Sequence, residues 1–245
     1  MIGDQPWART TLAQHARDAI ISGVFRPLVG AYTRRTVIGR EHLDGLDGPV
    51  VFVASHASHM DTPLILGALP AAWRRRTSVA AAADYFYGKR SLAMAVSLAF
   101  STVPVQRGGQ GTLAEGGSLL DRLIATERRN LVLYAEGTRS RTGSVGKLRS
   151  GAAVLAARHD VPLVPVHVDG TDAAMPVGNG WAKRADDGSR HDVTIAFGPP
   201  LDVGGVDGRA DAMERVREFF ASHGAATTPH DGQAQPGAAP PAGVR

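Results

Sequence analysis

The chain has 245 residues, 43% of them hydrophobic and 20% charged, with a formal net charge of +4 and no cysteine. That balance excludes wholesale disorder, which goes with little apolar content or a large net charge, and it leaves room for one sizeable core. The absence of cysteine excludes a disulfide scaffold, a thiolate metal centre and a cysteine nucleophile.

Residues 1–40 hold six arginines against Asp4 and Asp18, which is the whole positive excess. The first ten residues include Asp4 and Arg9 and no apolar core, so no secretory signal is expected there. From Leu12, apolar side chains recur at Ala16, Ala19, Ile20 and Val24, a helical stripe that Pro27 is expected to interrupt. Residues 1–35 therefore read as a basic amphipathic helical leader. Such a segment suits nucleic acid, an anionic membrane surface or simply water, and a helix packed on the core is the plain alternative. No aromatic platform accompanies the arginines, which argues against nucleic acid.

Residues 36–223 read as one α/β domain. Residues 36–38 form a possible strand, and Pro49 to Ala54 is a short β-branched run of the kind buried on both faces. Thr62 and Pro63 supply an N-cap and a first-turn proline for a helix over 64–69. Downstream, strands are expected over 78–83, 102–105, 131–135, 161–168 and 193–197, and helices over 90–100, 113–128, 151–159 and 210–222. Strands separated by helices predict a mostly parallel, mixed sheet flanked by helices. The most apolar run, 92–105, is interrupted by Ser97, Ser101, Thr102 and Pro104, so no membrane-spanning helix is expected. Residues 224–245, rich in Gly, Ala and Pro, read as a disordered tail.

Four blocks carry chemistry. The first is Ser55-His56-Ala57-Ser58-His59-Met60-Asp61, a loop after a buried strand. A histidine there can act as a general base near neutral pH if a carboxylate fixes its tautomer, although Asp61 could equally be a helix cap. A metal reading of His56, His59 and Asp61 lacks a fourth ligand. The second block, residues 134–143, places Glu136, Gly137, Thr138 and Arg139 after another strand, a composition suited to an anion such as phosphate. Gly146-Lys147 nearby does not complete a phosphate-binding loop, because Leu148 stands where Ser or Thr is required. Arg107, before a glycine turn, and Val161-Pro162-Leu163-Val164-Pro165, whose two prolines suggest an edge strand, complete the set. Neither a nucleophile elbow nor a dinucleotide fingerprint is present.

In order and spacing these blocks, over roughly residues 35–200, resemble the glycerolipid acyltransferases of the 1-acylglycerol-3-phosphate acyltransferase type. His56 and Asp61 match the family's His-x-x-x-x-Asp motif, Arg107 its second block, Glu136 to Ser140 its Pro-Glu-Gly-Thr-Arg-Ser block and Val161 to Pro165 its fourth. The resemblance implies a glycerol-3-phosphate acyltransferase-like fold and transfer of a fatty acyl group from acyl-CoA or acyl carrier protein to the sn-2 hydroxyl of 1-acylglycerol-3-phosphate. It implies His56 and Asp61 as catalytic residues, Arg107, Glu136, Gly137, Thr138, Arg139 and Arg149 at the acceptor, and no cofactor or metal. It also implies a peripheral enzyme on the cytoplasmic membrane face, approached through the leader. Ala135 departs from the family's proline, Ser101 and Pro104 from its glycine and phenylalanine, and Ala82-Ala83-Asp84 from a lysine often found there, which would leave the oxyanion to backbone amides. Another lipid acceptor, such as a glycolipid or lyso-ornithine lipid, and a catalytically silent lipid-binding homologue are the alternatives.

Overall fold

Residues 3–106, 118–140, 145–178, 181–205 and 207–225 are described by the structure, a computed structural model. After a 3-10 turn at Pro6–Arg9, the leader forms α1 (Thr11–Ile20), a π-helical turn (Ile21–Phe25) and α2 (Arg26–Gly30). Pro27 does not interrupt it. The chain widens into the π turn, where the Arg26 N–H donates to the Ile21 carbonyl, and Pro27 falls in the first turn of α2, where its missing N–H is not needed. Ala13, Arg17 and Ile21 turn inward, whereas Leu12 and Val24 of the apolar stripe are 82% and 54% exposed. The leader thus packs on the core with a face adjacent to its stripe. Arg17 is buried among carbonyls, donating to Ala8 and Ser97.

The sheet has seven strands: β1 (Thr33–Ile38), β2 (Val51–Ala54), β3 (Thr77–Ala82), β4 (Thr102–Val105), β5 (Asn130–Tyr134), β6 (Leu163–Asp169) and β7 (His191–Phe197). Their order is β1-β7-β6-β2-β5-β3-β4, and all pairs are parallel except β6 with β7. β1 begins at Thr33, so the leader's last three residues belong to the sheet. The connections carry α3 (Asp61–Ala68), α4 (Ala71–Arg75), α5 (Ala83–Phe86), α6 (Arg90–Phe100), α7 (Leu119–Ala125), α8 (Gly151–His159), α9 (Thr171–Ala174) and α10 (Gly208–Ser222). The helix expected over 113–128 is represented by α7, part of its span lying outside the described residues, as do residues 226–245 of the expected tail.

The period of two along β2 shows how one strand serves two cores. Phe52 and Ala54 join the cluster under α3 and the leader, and Val51 and Val53 join the cluster under α7, α8 and α10. β6, expected at an edge because of its prolines, is internal between β2 and β7. Pro162 precedes the strand, and Pro165 sits where β7 has already ended: the β6–β7 ladder starts at Val166, and the Gly198 N–H donates to the Pro165 carbonyl. The missing donor therefore falls where no ladder partner waits for it.

Candidate active site

The carboxyl ends of neighbouring strands β2 and β5 open on one side of the sheet, where ligands of such folds sit. His56 and Glu136 each follow their strand by two residues, and the Ser140 N–H donates to the His56 carbonyl at 2.8 Å, tying the two loops together. Asp61 opens α3, one residue before the expected cap. Thr62 is accordingly inside the first turn and not its N-cap.

Asp61 is wholly buried and accepts four hydrogen bonds. Its Oδ2 takes the His56 Nδ1–H and the Ala57 and Ser58 backbone N–H groups, each at 2.8 Å, and its Oδ1 takes the Thr171 hydroxyl at 2.6 Å. Capping the loop and orienting the histidine are thus one function of one carboxylate. Because Asp61 only accepts, Nδ1 carries a proton, so the neutral tautomer of this ring is the one with its lone pair on Nε2. The imidazole lies over the Tyr134 ring at 3.8 Å between centroids, with 17° between planes, and the Tyr134 hydroxyl bonds that of Thr62 at 2.5 Å.

A cavity of about 1450 Å³ opens beside this histidine. One part of its wall is apolar, with Phe25 and Leu28 from the leader joined by Phe86, Val96 and Phe100. Another part carries Thr138 and the cations Arg139, Lys147 and Arg149. Gly137 is needed at the turn between them. It has φ +69°, and a Cβ there would stand 2.9 Å from Arg149 Nε, which donates to the Glu136 carbonyl.

Burial, then the charge of Arg139, pushes His59 down to about 4, so this second histidine is neutral at pH 7. Burial raises the Glu136 carboxyl, against the Gly146 and His56 backbone donors that favour its charge. Its Oε2 accepts from Gly146, and Oε1 has no partner among the described residues. Burial also raises the Tyr134 phenol, which stays protonated. Among the described residues no three His, Asp or Glu side chains are arranged to hold a metal ion.

His56, Glu136, Gly137, Thr138, Arg139 and Arg149 therefore share one cavity, with Asp61 directly beneath it; Arg107 lies outside the described residues. Sequence reasoning gave no role to Tyr134, Thr171 or Lys147. Tyr134 stood inside a quoted block, but stacking on His56 is not a sequence signal, and Thr171 reaches Asp61 from 110 positions away. One departure has a local reason: the Ala135 N–H donates to the Ala54 carbonyl at 2.8 Å, a bond proline would forgo. Ser101 keeps φ +54°, the region glycine occupies without strain, and the structure gives no reason for serine there.

A family model described as Acyltransferase matches residues 34–169. The chloroplastic 1-acyl-sn-glycerol-3-phosphate acyltransferases BAT2 of Brassica napus and LPAT1 of Arabidopsis thaliana are each 27% identical, over 60% and 58% of this chain. The chain spans only 41% and 37% of those two proteins. The solved structure of the 1-acyl-sn-glycerophosphate acyltransferase PlsC from Thermotoga maritima has the same fold, with a TM-score of 0.65 and 22% identity over 91% of this chain and 82% of that one.

Proposed function

The chain belongs to the Acyltransferase family, and from that premise we propose that it transfers a fatty acyl group from an acyl thioester to the sn-2 hydroxyl of 1-acylglycerol-3-phosphate. The observation that carries the reading is the His56–Asp61 pair opening on a cavity that is apolar on one wall and cationic on another. An amphiphile with a phosphate and an acyl chain satisfies both walls, and its hydroxyl then lies between them.

In this mechanism His56 Nε2 takes the proton from the acceptor hydroxyl as its oxygen attacks the thioester carbonyl carbon. Asp61 offsets the imidazolium charge and holds the ring. The tetrahedral intermediate collapses with cleavage of the C–S bond, and the imidazolium returns its proton to the leaving thiolate. The acyl group moves directly to the acceptor, so neither a covalent enzyme intermediate nor a cofactor enters. General-base assistance of this kind is worth about a hundred- to ten-thousandfold in rate. Arg139, Lys147 and Arg149 hold the acceptor phosphate, a task shared with Arg107. The oxyanion is left to backbone amides, since no lysine occupies 82–84.

The same reading places the protein on the cytoplasmic face of a membrane, where its lipid acceptor resides. No helix among the described residues is long and apolar enough to cross one. The leader presents exposed Leu12 and Val24, with exposed Arg26 two residues after Val24, a surface suited to an interfacial helix. The test is thiol release from acyl-CoA and acyl-carrier-protein donors against a matrix of lyso-acceptors, with products identified by mass. Turnover that prefers 1-acylglycerol-3-phosphate is expected. Equal or better turnover of a phosphate-free acceptor would move the assignment to another lipid alcohol, and none with any acceptor would leave a silent lipid-binding homologue.

A further inference from the structure

On the side of α2 turned away from the catalytic cavity lies a second concavity of about 810 Å³, open to solvent. Arg26 of α2, Arg35 of β1, and Arg184 and Arg190 of the β6–β7 connection line it, and among the described residues no carboxylate does. Among the described residues none of these four arginines makes an ion pair, whereas Arg34, one position along β1, is paired with Asp192 at 2.8 Å. Partial burial, then the neighbouring Arg26 charge, holds the Arg35 guanidinium below its ordinary value. Four like charges drawn from three chain segments repel one another until an anion arrives.

The walls are tied together. Arg190 Nη1 donates to the Gly30 carbonyl at 3.3 Å, and the Trp181 indole N–H donates to the Tyr32 hydroxyl at 3.1 Å. Trp181 and Val24, close in sequence to Arg184 and Arg26, are 55% and 54% exposed. An arginine cluster flanked by exposed apolar groups has the pattern of a lipid-water interface, with charge at headgroup depth and apolar side chains below it.

We propose that this concavity binds the phosphate of an anionic lipid headgroup presented by a bilayer, at a site separate from the cations of the catalytic cavity. Guanidinium groups suit it because their paired N–H donors match phosphate oxygens two at a time. The site rests on the membrane-surface reading above and gives it an address: the end of the π-helical turn and α2 form the shared wall, with Phe25 and Leu28 toward the cavity and Arg26 toward the headgroup. A headgroup held there would seat the cavity's apolar wall next to the bilayer that stores its substrates.

The test is co-sedimentation of the full chain with phosphatidylcholine vesicles, with and without phosphatidylglycerol. It compares wild type, the Arg26→Gln/Arg35→Gln and Arg184→Gln/Arg190→Gln pairs, and a control in which Arg40, Arg76, Arg128 and Arg215 become Gln. Two pairs on different walls are used so that a folding defect in one does not decide the outcome. Wild type should prefer the anionic vesicles, each pair should lower that binding roughly tenfold or more, and the control should change it little. An equal loss in control and pairs would replace the site by diffuse charge and leave the membrane reading standing. Failure of wild type to bind either vesicle would remove the membrane reading and the site with it. Turnover of a soluble short-chain acceptor should be unchanged in the pairs. A raised KM for the acyl-CoA donor with vesicle binding intact would instead give the concavity to the donor's phosphates and overturn the proposal.

Discussion

The loop after β2 and the leader helix are both short polar-apolar mixtures, yet they depend on the rest of the chain in opposite ways. In the loop, the group that matters to His56 is five residues away, and the backbone between them is folded by the same carboxylate. In the leader, the apolar stripe from Leu12 to Val24 is the most regular local pattern, and the core takes the neighbouring face, Ala13, Arg17 and Ile21. Local chemistry decides the first. Contacts with α6 and α3 decide the second, down to burying an arginine whose guanidinium burial lowers to about 10, against the neighbouring Asp18 charge that raises it. A loop whose parts satisfy one another can be read from its own residues, whereas a helix face is chosen by its neighbours.

The comparison breaks most sharply at His56. His56→Ala should lower kcat about a hundred- to ten-thousandfold, with the circular dichroism spectrum and melting temperature close to wild type, because the ring adds little to the core. Activity within a few-fold of wild type would require another base. Asp61→Asn should cost less turnover, since the ring can still be oriented, but it should also lower the melting temperature. An amide turns an NH2 donor toward partners that are all donors.

In the leader the expected effects are on stability, and they separate its two faces. Ile21→Ala should cost about 2–5 kcal/mol in chemical denaturation, as an emptied core position does. Leu12→Ser, nine residues earlier, should stay within about 0.5 kcal/mol while weakening vesicle binding. Equal costs would mean that the stripe and not the inner face packs on the core. Back in the loop, Tyr134→Leu should lower kcat up to about tenfold with KM unchanged, the worth of one aromatic stack. Tyr134→Phe keeps the stack and loses only the Thr62 bond, so it should retain most of the rate.

The same contrast explains what was legible. The strands and helices whose periods are strong, such as α6, β4 and α8, match their expected bounds because propensity and burial agree there. α4, α5 and α9 are four or five residues long and carry no period to read. Pro165 reads as an edge signal, but a proline forbids a ladder bond only where a partner strand is present, and β7 ends at Phe197, opposite Val166, one residue short of it. At the candidate site, the residues named from contiguous blocks line one cavity, Arg107 lying outside the described residues, whereas those that arrive there by folding carry no signal in the sequence. Thr171 completes the shell of Asp61, and the leader's Phe25 and Leu28 wall the cavity, with no local mark that they do so.

The last expected effect lies within the loop and separates its two histidines. His59 is pushed down to about 4 from 6.5, by burial first and then by Arg139, so the fold binds the neutral ring. Between those values the unfolded chain holds a proton that the folded chain does not. Stability from this residue is therefore complete above about pH 6.5 and is lost as pH falls toward 4. Melting temperatures measured from about pH 7.5 down to about pH 4.5 should fall through this window. His59→Gln, which cannot titrate, should flatten part of that slope, while His56→Ala, which leaves His59 in place, should keep it. If His59→Gln left the slope as steep as in wild type, the loop's acid sensitivity would belong to another group, and the neutral histidine beside Arg139 would have no energetic consequence for the fold.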